Sequence, residues 1–259
     1  MNQVEKIAER LPEADRIILG GVVGSYNYGL ADSLSDIDMR FYVMPTMEDL
    51  IRQRATRRLL LVDNADIQVQ DIRRTKYFLS MGDMNQMSVL FSQEQYINPK
   101  YADFCHEIIA RREELAKANA PHIYMWGKSM FEKKIGQLDY YKANEIVYQQ
   151  YGYNTKAACQ AIYHLKMVME FLRNLEYDVD KPMEKAIDCS RIREEIAKIR
   201  NGGYTREELM RIADNTLADY EGIMAIPPSS EVPGWYLQAM YKAVAEEVGS
   251  NLTNSGSAD

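Results

Sequence analysis

Cysteine and histidine are scarce in this chain, and their spacing excludes the common disulfide and zinc frameworks. The sequence has three cysteines and three histidines among 259 residues. Cys105, Cys159 and Cys189 are odd in number, lie far apart and form no Cys-x-x-Cys pair. Neither a disulfide framework nor a structural zinc site is therefore expected. The cysteines indicate free thiols in a reducing compartment.

Long hydrophobic runs and an excess of basic residues are missing as well. No apolar segment approaches the ~20 residues that a membrane-spanning helix needs, and the N-terminal MNQVEKIAERLPEADR is polar, unlike a signal peptide. The formal net charge is -7, so the chain as a whole does not attract nucleic acid or anionic membranes. We expect a cytoplasmic protein with no membrane partner. Segments 52–58 and 73–76 are basic, and they are either local phosphate-binding patches or solvated helix surface.

The order of strand and helix patterns predicts an α+β fold with two domains. Residues 16–24, 36–45 and 65–72 have the apolar runs or the alternation of strands. Thr46 and Asp49 form a capping box for a helix through about residue 57. Further helices are predicted at 73–80, 86–92, 101–117, 128–149, 155–175, 189–200, 205–221 and 233–248. The predicted organisation is a small mixed β-sheet domain over 1–100, an all-helical domain over 101–248 and a disordered tail over 249–259.

The stretch GGVVGSYNYGLADSLSDIDMRF, residues 20–41, puts a glycine-serine turn a short loop before two carboxylates. Asp36 and Asp38 project to one face of a strand, because strand side chains alternate. Two carboxylates on one face repel unless a cation lies between them, and hard oxygen ligands suit Mg²⁺ or Mn²⁺. Gly24 lets the backbone approach a ligand, and Ser25 offers a hydroxyl and an N–H to phosphate oxygens. A helix beginning after the turn would favour the same anion. The alternative is a long surface turn.

A two-metal site needs a further carboxylate from a neighbouring strand. Asp66 is suitably placed on the strand predicted at 65–72, and Asp71 lies on the same strand with the opposite facing. The residues alone leave both open. A phosphate-binding turn together with paired metal carboxylates indicates phosphoryl or nucleotidyl transfer. The P-loop and dinucleotide motifs do not fit, because they require a lysine or further spaced glycines.

The same stretch resembles the signature of the DNA polymerase β-like nucleotidyltransferase superfamily, a Gly-Ser turn followed after a loop by Asp-x-Asp between apolar residues. Its form GS..YGL…SDIDMR is similar, more narrowly, to the nucleotidyltransferases of bacterial and phage RNA-repair pathways, labelled RlaP. YGYNTKAA at 151–158 and IRNGGYTREEL at 199–209 are also similar to strings in the helical half of that family. The resemblance spans most of residues 16–222.

The resemblance implies transfer of a nucleoside monophosphate from an NTP to an acceptor hydroxyl, with release of pyrophosphate, in a cleft between the two domains. The implied cofactor is Mg²⁺ or Mn²⁺, and the implied partners are an NTP such as ATP and an RNA 3′ or 5′ end or a tRNA. The residues expected to bind nucleotide are Gly24, Ser25, Tyr28, Arg40 and Lys156, and those expected to hold metal and to be catalytic are Asp36, Asp38 and Asp66. The alternative for Arg40 is an ion pair with an acidic neighbour, and the alternative for Lys156 is a solvent-exposed position.

The sequence also departs from the family pattern and leaves other functions open. Ala157 and Gln160 stand where the family has histidines, and Ser88 stands where it has a glutamate, so the acceptor side is not defined. AMP transfer to a partner protein is one alternative, which the acidic charge favours over a long nucleic acid. A non-catalytic nucleotide- or RNA-binding protein with this fold is another. Tyrosines of the motif segments either stack on a base or pack at a domain interface.

Overall fold

The structure, a computed structural model, describes residues 2–33, 35–140, 145–223 and 232–255. The chain folds into two compact units. One consists of Met1–Asn27, Ala31–Asn119 and Ser230–Asp259, and the other of Tyr28–Leu30 and Ala120–Ser229. The first unit contains a β-sheet with helices, whereas the second is helical.

The strands are β1 Ile17–Val23, β2 Ile37–Val43, β3 Arg57–Val62, β4 Ala65–Asp71 and β5 Gln95–Ile97. The helices are α1 Gln3–Ala8, α2 Met47–Ile51, α3 Thr75–Ser80, α4 Met84–Met87, α5 Ala102–Ala110, α6 Arg112–Ala118, α7 Ala120–Ile135, α8 Glu145–Tyr151, α9 Thr155–Glu176, α10 Pro182–Ile187, α11 Arg193–Arg200, α12 Arg206–Glu221 and α13 Gly234–Ser255. Short 3₁₀ turns connect several of them. No helix in the described segments is long and apolar enough to cross a membrane.

The sheet of the first unit is mixed, with the strand order β3-β4-β2-β1-β5. β1 runs antiparallel to β2 and β5, and β3 runs antiparallel to β4, but β2 and β4 are parallel. The α+β class with a mixed sheet is therefore confirmed, and the predicted strands at 16–24, 36–45 and 65–72 are present. β3 and β5 were not predicted.

One face of the sheet is apolar and forms the core of the first unit. Met39 and Phe41 on β2 and Ile67 and Val69 on β4 alternate onto this face, because strand side chains have a period of two. They join the buried residues of α1 in a single cluster. This burial explains why Ile37–Val43 and Ala65–Asp71 form neighbouring strands.

The opposite face is polar even where it is buried. Gln68 and Gln70 on β4 are 7% and 0% exposed. Gln86 on α4 accepts a hydrogen bond from Gln70 and donates one of 3.4 Å to Gln68. The Tyr42 hydroxyl donates to the backbone carbonyl of Gln86 at 3.0 Å. These bonds attach α4 to the sheet through polar groups that would be costly to bury unpaired.

The last helix, α13, belongs to the first unit although it comes last in the chain. Tyr236 is buried and its hydroxyl bonds to the Thr75 hydroxyl. Glu247 pairs with Lys100 at 2.7 Å. The boundary between the two units therefore does not lie at residue 100. The domains 1–100 and 101–248 remain a prediction from the sequence.

Several predicted helix boundaries differ from the structure. α2 begins with the predicted Thr46–Asp49 capping box but ends at Ile51, because the following residues turn into β3. The helix predicted at 128–149 is two helices, α7 and α8, and residues 141–144 of it lie outside the described residues. α13 continues through Ser255 into the predicted disordered tail, of which 256–259 lie outside the described residues.

The second unit is organised around α9, which packs against α7, α10, α11 and α12. Its predicted apolar stripe is buried: Ile162 and Leu165 are 0% exposed, and Val168 and Leu172 are 1% exposed. α12 begins with the predicted capping box of Thr205 and Glu208. α10 was not predicted.

His164 on α9 is buried among aromatic rings, with Tyr163 at 4.2 Å and Trp126 at 5.0 Å between ring centres. Burial, with a smaller contribution from the Lys134 charge, lowers the pKa of His164 to about 3. In the unfolded chain the imidazole of His164 becomes protonated near pH 6.5, whereas in the folded chain it stays neutral down to about pH 3. The free energy of unfolding therefore has its full His164 contribution above about pH 6.5 and loses it as the pH falls toward 3.

We predict that His164→Phe reduces this dependence, because the substituted ring cannot titrate. The free energy of unfolding, measured by urea denaturation from pH 4 to pH 6, should rise more steeply with pH in the wild type by about 1.4 kcal/mol per pH unit. Equal slopes in the two proteins would contradict the prediction.

Candidate active site

The aspartates of the motif lie at one end of the polar sheet face. In the parallel pairing of β2 with β4, Asp38 is directly opposite Asp66. Paired residues on neighbouring strands project to the same face, and the strands are about 4.8 Å apart. Both side chains are exposed to solvent. The sheet therefore brings together two carboxylates that are 28 positions apart in the chain.

Gly24 lies next to the Asp38 carboxylate. It follows β1 with φ +69°, and a Cβ at this position would lie 2.7 Å from Oδ2 of Asp38. A side chain here would displace the carboxylate and would also strain the backbone, since L-residues rarely adopt this conformation. The glycine turn and the Asp-x-Asp segment are thus neighbours in space.

The turn itself is fixed by Asn27, which sequence reasoning did not select. Residues 24–29 form turns, and no helix begins within that described segment, so the conditional prediction of a helix dipole fails. Asn27 is 3% exposed and accepts a hydrogen bond of 3.1 Å from the backbone N–H of Gln93. Its Nδ2 group is buried and has no hydrogen-bond partner among the described residues. Ser25, two residues earlier, is partly exposed in the same turn.

Asp71 has a different position and different contacts. It lies at the other end of β4, opposite Val43, and is 1% exposed. Its carboxylate accepts hydrogen bonds from the Arg73 side chain at 2.6 and 2.9 Å and from the Arg73 backbone N–H at 2.9 Å. Asp71 thus forms a structural ion pair with Arg73, whereas Asp66 lies beside Asp38. Of the two candidates for the third carboxylate, the geometry favours Asp66.

Arg40 lies behind the carboxylates on the same sheet face, opposite Gln68. Its Nε and Nη1 atoms are buried and have no hydrogen-bond partner among the described residues. Asp83 is near it: burial raises the pKa of the Asp83 carboxyl, and the positive charge of Arg40 partly opposes that rise. Arg40 is partly buried and thus provides positive charge with two unpartnered donors next to the aspartates on the same sheet face.

Two predicted nucleotide-binding residues belong to the second unit. Tyr28 is 1% exposed and packs against Tyr163, with 5.9 Å between ring centres, and its carbonyl accepts from the Cys189 N–H. Lys156 is exposed in the first turn of α9. Burial, followed by the charges of Lys133 and Lys156, lowers the pKa of Lys134. Lys134 is therefore a cation close to Lys156 that the sequence did not point to.

The three predicted metal ligands, Asp36, Asp38 and Asp66, fit a hard divalent cation, because each offers carboxylate oxygens. Asp36 is exposed and directly precedes β2, two positions before Asp38. Across the described ranges, no group of three or more histidine, cysteine, aspartate or glutamate side chains is placed to hold a metal ion. The fold brings two predicted ligands together, and the role of the third stays a prediction.

Comparison with protein families matches residues 1–188 to RlaP, described as an RNA repair pathway DNA polymerase beta family. The chain belongs to the RlaP family. The match includes the whole sheet and the glycine turn and continues through α10. The predicted span of 16–222 extends past this match, and the string at 199–209 lies outside it. The predicted family resemblance is confirmed, and the family indicates a nucleotidyltransferase of the DNA polymerase β type.

Other comparisons add little to this assignment. A nucleotidyltransferase-like protein from Exiguobacterium sibiricum is 12% identical, with 97% of this chain and 91% of that chain covered and a TM-score of 0.28. A TM-score of that size carries no argument about structure or function. The chain has no match among the curated proteins.

We predict that Gly24→Ala abolishes most nucleotidyl transfer by this RlaP-family protein, because the methyl group displaces the Asp38 carboxylate. Gly152→Ala is the matched control: Gly152 has φ +75°, but a Cβ there meets nothing within 4 Å. Both variants should lose about 1–2 kcal/mol of stability from the left-handed backbone, measured by thermal denaturation. Only Gly24→Ala should lose incorporation of label from an α-labelled NTP. Equal activities of Gly24→Ala and Gly152→Ala would contradict the importance of the close approach between Gly24 and the Asp38 carboxylate.

Proposed function

We propose that this protein transfers a nucleoside monophosphate from an NTP to a hydroxyl at the end of an RNA, with Mg²⁺ or Mn²⁺ as cofactor. The observation that supports this most is the pairing of Asp38 with Asp66 beside the Gly24 turn. A surface turn needs neither two like charges on adjacent strands nor a glycine that makes room for one of them. Such charges are costly to fold together and are typical of sites that bind a cation.

Asp38, Asp66 and Asp36 are the proposed metal ligands. When bound, the ion lowers the pKa of the attacking hydroxyl and neutralises charge on the leaving pyrophosphate. The rigid β2–β4 pairing holds Asp38 and Asp66 side by side before any ligand arrives, which reduces the reorganisation that binding requires. Asp36 directly precedes β2, and its proposed role is to complete the set of ligands from the loop side.

The triphosphate is proposed to bind on the Gly24 side. The turn offers backbone N–H groups and the Ser25 hydroxyl, which suit phosphate oxygens. The unused Nδ2 donor of Asn27 and the Nε and Nη1 donors of Arg40 are polar groups that are costly to bury without partners. An anionic ligand would supply those partners, so both side chains join Ser25 as proposed phosphate-binding residues.

In the proposed reaction, an acceptor oxygen attacks the α-phosphorus of the NTP. A new P–O bond forms to the acceptor, the bond from the α-phosphorus to the bridging oxygen breaks, and pyrophosphate leaves with that oxygen. The acceptor hydroxyl loses its proton to water. The site needs no side-chain nucleophile, which agrees with the positions of Cys105, Cys159 and Cys189, all buried.

An RNA end is the proposed acceptor because the family is described by an RNA repair pathway. Segment 52–58, which carries four arginines, lies in the loop before β3 and in the start of β3 rather than on a helix surface. In β3, Arg57 and Arg58 lie opposite Gln70 and Val69, at the end of the strand away from Leu61 and Asp66. Arg58 also forms an ion pair with Glu13, so the segment is a basic patch at the far end of the sheet in a chain of net charge -7. AMP transfer to a protein is an outcome that the labelling experiment below distinguishes.

We predict that Mg²⁺ or Mn²⁺ stabilises the wild type but not Asp38→Asn or Asp66→Asn. Without metal, each variant should unfold about 1–2 °C above the wild type, because removing one charge relieves the repulsion between neighbouring strands. Asp214→Asn, an exposed position in the second unit, is the control that should keep the metal effect. The measurement is the unfolding midpoint with and without metal, and an equal metal shift in all four proteins would place the ion elsewhere.

We predict that incubation with α-labelled NTPs, metal, a pool of RNA ends and cell proteins labels RNA. Asp66→Asn should lose about 100-fold or more of the transfer rate while remaining folded. Asp71→Asn should instead lose about 1–3 kcal/mol of stability, since Arg73 loses a buried partner, and should keep transfer below its unfolding midpoint. Label on protein would support AMP transfer to a partner. Full activity of Asp66→Asn would contradict the assignment of the third carboxylate.

A further inference from the structure

β3 is an edge strand with an unusual surface. Within the described part of the chain, no strand pairs with its outer edge. Leu59 and Leu61 are 72% and 70% exposed. Natural edge strands are commonly shortened, charged or covered, because an open apolar edge pairs with other chains. This edge has charges only at its start, where Arg57 and Arg58 precede three consecutive leucines.

The unpaired backbone groups of β3 belong to the same residues that carry the exposed side chains. Asp71 donates its N–H to the Thr56 carbonyl at 2.9 Å, and antiparallel strands alternate between bonded and non-bonded pairs. The backbone groups of Leu60 therefore face β4, and those of Leu59 and Leu61 face outward. Leu61 is paired with Asp66, so both exposed leucines project to the same face as the aspartates.

The edge is complementary to itself in an antiparallel arrangement. If two copies pair with Leu60 opposite Leu60, then Leu59 of one copy lies opposite Leu61 of the other. These two residues have outward backbone groups and form a hydrogen-bonded pair. Their exposed side chains lie on one face and bury each other. The same register puts Arg57 opposite Asp63, an exposed carboxylate that already pairs with Arg10.

We propose that two copies of this chain associate through β3, with a twofold axis at Leu60 that joins their sheets into one. Three features support a second copy as the occupant: the open backbone groups of β3, its exposed leucine pair, and the opposite charges of Arg57 at the start of the strand and Asp63 in the turn after it. The axis is perpendicular to the sheet, so the Asp38–Asp66 pairs of both copies lie on the same face. On the side of Asp66 away from Asp38 lies Leu61 of β3, and the strand of the second copy lies one strand further out. This association does not depend on the proposed transfer reaction.

The association is tested by the mass of the full chain in solution, measured by light scattering after gel filtration and by sedimentation equilibrium. The wild type is expected to have the mass of two chains. Leu59→Lys and Leu61→Lys should each have the mass of one chain, and both positions are exposed, so the fold should persist, as checked by circular dichroism. Ile51→Lys on α2, at a position 74% exposed, is the matched control and should remain a dimer. A monomeric wild type overturns the proposal, as does a dimer that both lysine variants preserve.

The register is tested by disulfide formation. Leu60→Cys should form a cross-linked dimer when diamide is the oxidant, because the two residues at the axis form a non-bonded pair with close Cα atoms. The three native cysteines are buried, so they should not react. Arg58→Cys, whose opposite residue is Val62 of the second copy, should not cross-link. Cross-linking through Arg58→Cys alone overturns the register. A monomeric wild type whose Leu59→Lys variant loses binding to an RNA oligonucleotide would assign the leucines to the acceptor and would also overturn the proposal.

Discussion

The parallel pairing of β2 with β4 is the constraint on which the site depends. Parallel strands cannot be joined by a tight turn, so the chain leaves β2 through α2, crosses to the edge as β3 and returns through a hairpin as β4. This path brings Asp66 beside Asp38. The apolar residues on the other face determine the register, because a slip of one residue would turn them to solvent. The packing of the core thereby positions two charges that repel each other.

Beneath the carboxylates, the sheet uses polar residues where an apolar core would be more usual. Gln86 accepts a hydrogen bond from Gln70 and donates one to Gln68, and Arg40 lies opposite Gln68. Nε2 of Gln68 and Oε1 of Gln70 have no partner among the described residues. A fully bonded polar layer gives rigidity, but groups left unpaired are costly. Asn27 and Arg40 keep such unpaired donors close to the glycine turn and the aspartates. Buried unpaired donors lower the free energy of unfolding, and such destabilising groups are expected at sites that bind a ligand.

The sequence was most informative where the structural signal is local. The Thr46 and Thr205 capping boxes and the apolar stripe of α9 were read from neighbouring residues and are present. β3 was missed because three consecutive leucines show no alternation of polar and apolar residues, although only Leu60 of the three packs against the core. Asp63 and Asn64 after it are typical hairpin turn residues. The choice between Asp66 and Asp71 depends on pairing with a distant strand, and so does the return of α13 to the first unit. No local pattern carries that information.

The hairpin between β3 and β4 has a consequence for how this chain can change in length. Asp63 and Asn64 have φ +50° and +62°, as a two-residue turn with a matching twist requires. One residue inserted between this turn and Asp66 would rotate that carboxylate to the apolar face. An insertion between α2 and β3 lengthens a surface loop and leaves every strand pair unchanged. Related chains are therefore free to differ in length before Arg57, whereas the interval from Asp63 to Asp66 has to be kept.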